Sequence, residues 1–158
     1  MNTPDALVQV AEFHRTFHHP ILNSPQIPPL ERAKLRISLL SEELKEFQEA
    51  VENQDIVEAA DALCDLQYVL MGAVLEFGLG ESFEELFNEV QRSNMSKACQ
   101  NESEAKETVA FYEAKGTPCY YIADGDRFLV YRTEDQKTLK NVHYSPADLV
   151  SVVNKFRK

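Results

Sequence analysis

Apolar residues recur at Leu7, Val10, Phe13 and Phe17 in PDALVQVAEFHRTFH, a spacing that keeps them on one face and predicts a first helix over about residues 4–18. The following HHPILNSPQIPP is too rich in proline to continue it and reads as a loop. Pro28 and Pro29 stand where a second helix, about 29–52, begins. Asp55 is placed to cap a third helix running to Phe77, which Gly78 and Gly80 stop. Ser82 with Glu85 predicts a capping box opening a fourth helix over about 82–98, and Ser103 a fifth to Lys115. Beyond Gly116 the pattern changes. Residues 118–132 hold two β-rich stretches joined at Asp124-Gly125, a hairpin signal, with a third short strand expected near 138–143. Ser145-Pro146 opens a last helix to about Phe156. The chain therefore divides into a helical part, residues 1–115, and a small hairpin-plus-helix part, residues 116–158.

Composition narrows the function classes. The 158 residues are 44% hydrophobic and 27% charged, an ordinary globular balance. No apolar run reaches the roughly 20 residues needed to span a bilayer, and no basic segment leads into an apolar one at the N-terminus. Neither a membrane partner nor secretion is expected. Cys64, Cys99 and Cys119 form no CxxC pair, which suits a reducing, cytoplasmic setting. A net charge of −10 opposes binding to nucleic-acid backbones. A phosphorylated small molecule remains possible if a cation stands between it and the protein.

The informative acids lie on the second and third helices. Glu42, Glu43, Glu46 and Glu49 share one broad stripe of SEELKEFQEA, a pattern that is also common on solvated helices. The third helix is apolar nearly all round from Ile56 to Leu79, yet Glu58, Asp61 and Asp65 fall within about 60° of one another. Aspartate is a poor helix former, and three neighbouring carboxylates in an apolar setting would repel and need cations. Two sources are open. Arg32, Lys34 and Arg36 of the second helix could form ion pairs with them, or a hard divalent ion could sit between the acidic stripes of two antiparallel helices. Zinc and di-iron patterns are missing: no histidine lies in either acidic helix, and the isolated Cys64 reads as a small core residue. No phosphate loop of the nucleotide-binding type is present either.

The run Glu42-Glu43-Leu-Lys-Glu46, then Glu58-Ala-Ala-Asp61 and Asp65-Leu-Gln-Tyr-Val, resembles the all-α nucleoside triphosphate pyrophosphohydrolases, with their EExxE and ExxD signature. These include MazG, the dimeric dUTPases, dCTP pyrophosphatase and phosphoribosyl-ATP pyrophosphohydrolase. Arg92-Ser-Asn94-Met-Ser-Lys97 resembles the RxNxxK stretch of MazG-like members, and the likeness covers about residues 8–115. The resemblance implies an all-α core, a four- to five-helix bundle of that type, with the hairpin and final helix as an addition. It implies cleavage of a nucleoside triphosphate between the α- and β-phosphates, with Mg²⁺ or Mn²⁺ as cofactor. It also implies that Glu43, Glu46 and Asp65 are metal ligands, followed by Asp61 and Glu58, and that Glu42 or Glu46 activates water. Arg92, Asn94 and Lys97 would hold phosphates, while His18 and Asn23, with His14 and Phe17, would lie near the base. One departure stands out: Ala62 occupies the place of the acid expected four residues before the Leu-x-Tyr-Val segment, and Asp61, on nearly the same face, could take that place, which leaves open whether Asp61, Asp65 or both complete the metal shell. Family members form homodimers or homotetramers, and Val69, Leu70, Val74, Leu75 and Phe77 offer apolar surface for that assembly. The competing readings are phosphoribosyl-ATP hydrolysis in histidine synthesis and a non-catalytic helical dimerisation or regulatory module.

Overall fold

The computed structural model describes residues 5–157. The described residues form six α-helices, a short 3₁₀ turn and a two-stranded antiparallel sheet. In chain order these are α1 (Ala6–Thr16), α2 (Leu30–Glu52), α3 (Ile56–Glu76), the turn Gly80–Ser82, α4 (Phe83–Met95), α5 (Glu102–Glu113), β1 (Cys119–Asp124), β2 (Arg127–Arg132) and α6 (Leu149–Phe156). The expected first helix opened at Pro4, which lies outside the described residues. The chain forms two compact units. One runs to Phe83 and takes in the segment from Val153 onward; the other is Glu84–Val152. No single helix among the described residues is long and apolar enough to cross a membrane.

The first unit is organised by the α2–α3 hairpin. The Asp55 carboxylate accepts the backbone N–H groups of Val57 and Glu58 at 2.9 and 3.1 Å, which starts α3 after a connection of three residues, Asn53 to Asp55. Small buried residues, Ala33 and Ala50 on α2 with Ala59 and Ala62 on α3, line the two helices. The core sits at the other end of α3, where Val10 and Ala11 of α1 pack with Met71, Val74 and Leu75. Burying each of the larger side chains stabilises by about 1.5–3 kcal/mol. Val74 and Leu75, expected to face another subunit, are therefore covered within the chain. Beside them the α1–α2 loop is laced to the end of α3: Leu22 N–H donates to the Leu75 carbonyl at 3.0 Å and Gln26 N–H to the Phe77 carbonyl at 3.1 Å. Gly78 permits this approach. Its φ is +68° and a Cβ there would collide with the Ser24 carbonyl.

The second unit is built on Cys99, Ala105, Cys119, Val130 and Leu139, with Val109, Tyr112, Tyr121 and Phe128 around them. The hairpin register runs from Cys119 opposite Arg132 to Asp124 opposite Arg127, with Gly125 at φ +60° in the turn. Cys99 and Phe128 exchange backbone hydrogen bonds at 2.8 and 2.9 Å along the outer edge of β2. Three expectations change here. The strand predicted near 138–143 shrinks to a single bridge between Tyr131 and Thr138, because the chain turns away after Leu139. α5 is capped by Asn101, whose side chain accepts from Glu104 N–H at 3.0 Å, rather than by Ser103. α6 begins only at Leu149, where the Asp148 carboxylate accepts from Ser151 N–H at 3.1 Å.

Candidate active site

Because α2 and α3 are antiparallel with a three-residue connection, the acids of the C-terminal half of α2 face those of the N-terminal half of α3. Glu46, Glu49, Asn53, Asp55, Glu58 and Asp61 line a cleft of about 390 Å³, floored by Ala50 and Ala62. Asp55 is occupied as the α3 cap, and Glu49 pairs with Lys45 at 3.1 Å. The remaining acids have no basic partner. Among the described residues no arginine, lysine or histidine bonds Glu42, Glu43, Glu46, Glu58, Asp61 or Asp65. Partial burial, and then the charges of Asp65, Glu46, Glu42 and Asp61, push the Glu43 carboxyl above its ordinary range.

The acids of α3 do not lie in the apolar setting expected for them. Glu58, Asp61 and Asp65 are exposed in the single chain, as are the α3 apolar residues Ile56, Val57, Leu63 and Leu70 beside them. The demand for cations comes from crowded like charges across two helices, not from burial inside one bundle.

The basic residues offered as an alternative are committed elsewhere. Arg32 and Arg36 both close on Glu76, whose side chain is 0% exposed, and Lys34 pairs with Glu31 at 3.4 Å. Arg36 Nε donates to Glu76 Oε1 at 3.0 Å, and Arg32 Nε donates to Oε2 at 3.0 Å. His14 completes this buried group: Nδ1 lies 2.9 Å from the Pro20 carbonyl and Nε2 lies 3.2 Å from Arg36 Nη2. Burial, offset in part by the Pro20 carbonyl and reinforced by Arg36, holds the His14 imidazole below its usual range. The neutral ring therefore donates to Pro20 and accepts from Arg36. The cleft acids without a basic partner, Glu46, Glu58 and Asp61, fit a hard divalent ion by donor type, since each offers carboxylate oxygen. Among the described residues no three His, Cys, Asp or Glu side chains already converge as a ligand set.

A second cavity, of about 220 Å³, lies further along the same helix pair. Phe13, His19, Tyr68, Arg32, Leu35 and Arg36 are among its walls. Phe13 stacks on His19 with centroids 5.8 Å apart and meets Tyr68 edge-on at 5.6 Å. Leu39 and Val69 also line it, one helical turn, or about 6 Å, from Glu43 and Asp65 respectively. None of Phe13, His19, Tyr68 or Arg36 was singled out as a ligand-binding residue from the sequence. His18 and Asn23, which were, stand apart from this cavity: His18 is an exposed residue at φ +58°, and Asn23 lines a separate cleft with Arg15 and Glu81. Phe17 packs against Phe13 with ring centroids 4.4 Å apart and planes tilted by 40°, but is largely exposed.

Arg92, Asn94 and Lys97 belong to the second unit and have internal partners there. Arg92 bonds Glu89 at 2.8 Å through two nitrogens and also donates to Ser145 Oγ and the Pro146 carbonyl. The Arg92 pair first, and the Asp148 N–H second, pull the Glu89 carboxyl down to about 2. Lys97 donates to the Asn94 side-chain carbonyl at 2.8 Å.

The α2–α3 pair thus presents facing stripes of carboxylates, most of them without a basic partner, with an aromatic pocket further along the same helices. Comparison with known proteins gives the family. The sequence profile of phosphoribosyl-ATP pyrophosphohydrolase matches residues 10–94, more than half of the chain, which spans α2, α3 and most of α1 and α4. The chain belongs to this family, part of the MazG-like all-α NTP pyrophosphohydrolase superfamily. An uncharacterized protein of Acanthamoeba polyphaga mimivirus is 24% identical, with 85% of this chain and 90% of the relative aligned. The family is one of pyrophosphohydrolases, hydrolases of acid anhydrides, and MazG-like members generally use a divalent metal.

Proposed function

We propose that this protein hydrolyses a nucleoside or deoxynucleoside triphosphate between its α- and β-phosphates, releasing a nucleoside monophosphate and pyrophosphate, with Mg²⁺ as the natural cofactor and Mn²⁺ able to replace it. The observation that carries this reading is the diversion of the nearby bases. Arg32 and Arg36 neutralise Glu76, and Lys34 neutralises Glu31, so the carboxylates around Glu43 have no counter-charge of their own.

Glu43, Glu46 and Asp65, supported by Asp61 and Glu58, are the residues to hold the metal. A divalent ion bound there supplies neutralisation and orientation of the triphosphate. Glu42 or Glu46, whichever is left outside that shell, takes the proton of the attacking water. Water oxygen bonds the α-phosphorus as the bond to the bridging oxygen breaks, and pyrophosphate leaves. The aromatic cavity one turn away takes the base by stacking on Phe13 and His19. Arg92 and Lys97 remain candidates for the outer phosphates, which requires them to exchange Glu89 and Asn94 for the ligand.

The fold is the four- to five-helix bundle of the all-α NTP pyrophosphatases, working as a homodimer or homotetramer in the cytoplasm. Leu30, Ile37, Leu44 and Val51 on α2, and Ile56, Leu63 and Leu70 on α3, repeat every seventh residue and are all exposed. Two such seams on neighbouring helices are a self-complementary packing face.

The test is a panel of nucleoside and deoxynucleoside triphosphates, with phosphoribosyl-ATP included, assayed with Mg²⁺ for pyrophosphate and orthophosphate separately. Pyrophosphate is the expected primary product. Orthophosphate alone argues against α–β cleavage, and no release from any substrate favours a binding module.

A further inference from the structure

Resting on the triphosphate reading above, we infer that Arg36, with Arg32, is a specificity-determining residue: the two guanidiniums read a carbonyl oxygen on the base, so the enzyme prefers keto bases (uracil, thymine, guanine) to amino bases (cytosine, adenine).

The Arg36 side chain is 8% exposed, yet it lines the aromatic cavity. Its Nε and Nη2 are engaged by Glu76 and His14, whereas Nη1 has no partner. No buried side-chain nitrogen or oxygen among the described residues lacks a hydrogen bond, so Nη1 is not fully enclosed, and Arg36 is among the residues that line this cavity. Arg32 repeats the arrangement, with Nε and Nη2 on Glu76 and Nη1 unpartnered. A buried carboxylate thus orients two arginines so that each leaves one nitrogen over.

Gly72 secures the position of the first. A Cβ at residue 72 would stand 2.6 Å from Arg36 Nη1 and 3.1 Å from His14 Nε2, so only glycine lets the guanidinium lie against α3 at this point. The geometry is built for that nitrogen, not for packing alone.

The chemistry of the ligand follows. Arginine offers only donors. Uracil and thymine present O4, and guanine O6, as the exocyclic acceptor on the edge remote from the sugar, where cytosine and adenine carry an amino donor instead. An amino group would meet a fixed cation and leave its own hydrogen unpaired. A cavity of about 220 Å³ walled by Phe13, His19 and Tyr68 suits a flat ring, with the arginine pair at one end and the acidic stripes a helical turn beyond Leu39 and Val69 at the other.

The experiment compares kcat/KM for dUTP, dTTP and dGTP with that for dCTP and dATP in Mg²⁺, in the natural chain, Arg36→Lys and Gly72→Ala. Arg36→Lys keeps a cation beside Glu76 but loses the fork; Gly72→Ala leaves every charge in place and displaces Nη1. The keto-base substrates are expected to lead by at least about tenfold in the natural chain. Gly72→Ala should pull that ratio toward one, and Arg36→Lys should do the same where circular dichroism shows it folded. A ratio near one in the natural chain, a preference for dCTP or dATP, or a ratio that Gly72→Ala leaves unchanged overturns the assignment. If no triphosphate is hydrolysed, the hydrolase reading fails and calorimetric titration with dUTP and dCTP decides this one. Tighter dUTP binding that Gly72→Ala abolishes sustains it; equal or absent binding overturns it.

Discussion

Replacing Glu76 by glutamine isolates the buried charge on which the N-terminal half of α2 depends. The change preserves volume and removes one negative charge from a side chain that is 0% exposed. Two arginines then lose their counter-ion, with unequal consequences. Arg32, 30% exposed, turns to solvent at small cost. Arg36, 8% exposed and fixed against Gly72 and His14, stays buried with an uncompensated charge. Breaking a buried pair in this way costs about 3–5 kcal/mol, which lowers the melting temperature by on the order of 10 °C. Urea unfolding followed by circular dichroism measures it. The pH dependence gives a second reading. Burial pushes the Glu76 carboxyl up, but the hydrogen bonds and charges of Arg32 and Arg36 outweigh it and leave it below its ordinary 4.5. A depressed folded value means the stabilisation is complete above the ordinary carboxylate range and is lost as pH falls through the folded one. Glu76→Gln should therefore flatten the acid limb of the stability curve. A double change, Glu76→Leu with Arg36→Met, should recover part of the loss, since a packed apolar pair avoids the desolvation of both ions. Glu76→Gln within about 1 kcal/mol of the natural chain, with the acid limb unchanged, would refute the reasoning; that margin is the worth of an exposed ion pair.

Glu43→Gln or Asp65→Asn should abolish pyrophosphate release while the helical circular dichroism spectrum is retained; full activity in both would remove these residues from the metal site. Millimolar Mg²⁺ or Mn²⁺ should raise the melting temperature of the natural chain by mass action on the folded state, and Glu43→Gln should blunt that rise. Leu44→Glu and Leu63→Glu each place a charge on a seventh-residue seam and should shift the sedimentation coefficient toward monomer; unchanged species in both would show that the seams face solvent. Gly78→Ala should destabilise by about 2 kcal/mol or more, from its positive φ and the collision with the Ser24 carbonyl, read as a lower urea midpoint.

The helices of the first unit were legible because their ends are punctuated locally: Pro28-Pro29 before α2, Asp55 before α3, Gly78 after it. The facing acids followed from one short turn and a 3.6-residue period. What the sequence did not disclose depends on partners remote along the chain. Arg32 and Arg36 were available on paper for Glu58, Asp61 or Asp65, yet an antiparallel hairpin places the start of α2 against the end of α3, where Glu76 lies. That register was in principle readable from the length of the turn. The aromatic cavity was not, since Phe13, His19 and Tyr68 come from α1, the following loop and α3. In the second unit, the expected strand near 138–143 carried suitable residues, but its ladder ends at Thr138 and the Leu139 N–H that donates to Val130. Residue preference alone does not say where such a ladder stops.

The lacing of Leu22 and Gln26 onto the Leu75 and Phe77 carbonyls gives the α1–α2 connection an unusual standing. By composition it is the obvious place for a protease to nick or an engineer to splice in a tag. Its amides, however, bond the end of α3: Gln26 satisfies the Phe77 carbonyl, and Leu22 adds a second donor to the Leu75 carbonyl that Gly78 N–H also reaches. Cutting or lengthening the segment frays that helix end and unfastens α1 from its seat on Val74 and Leu75. Residues that read as filler between two helices are thus a structural seam, as intolerant of insertion as the helices they join.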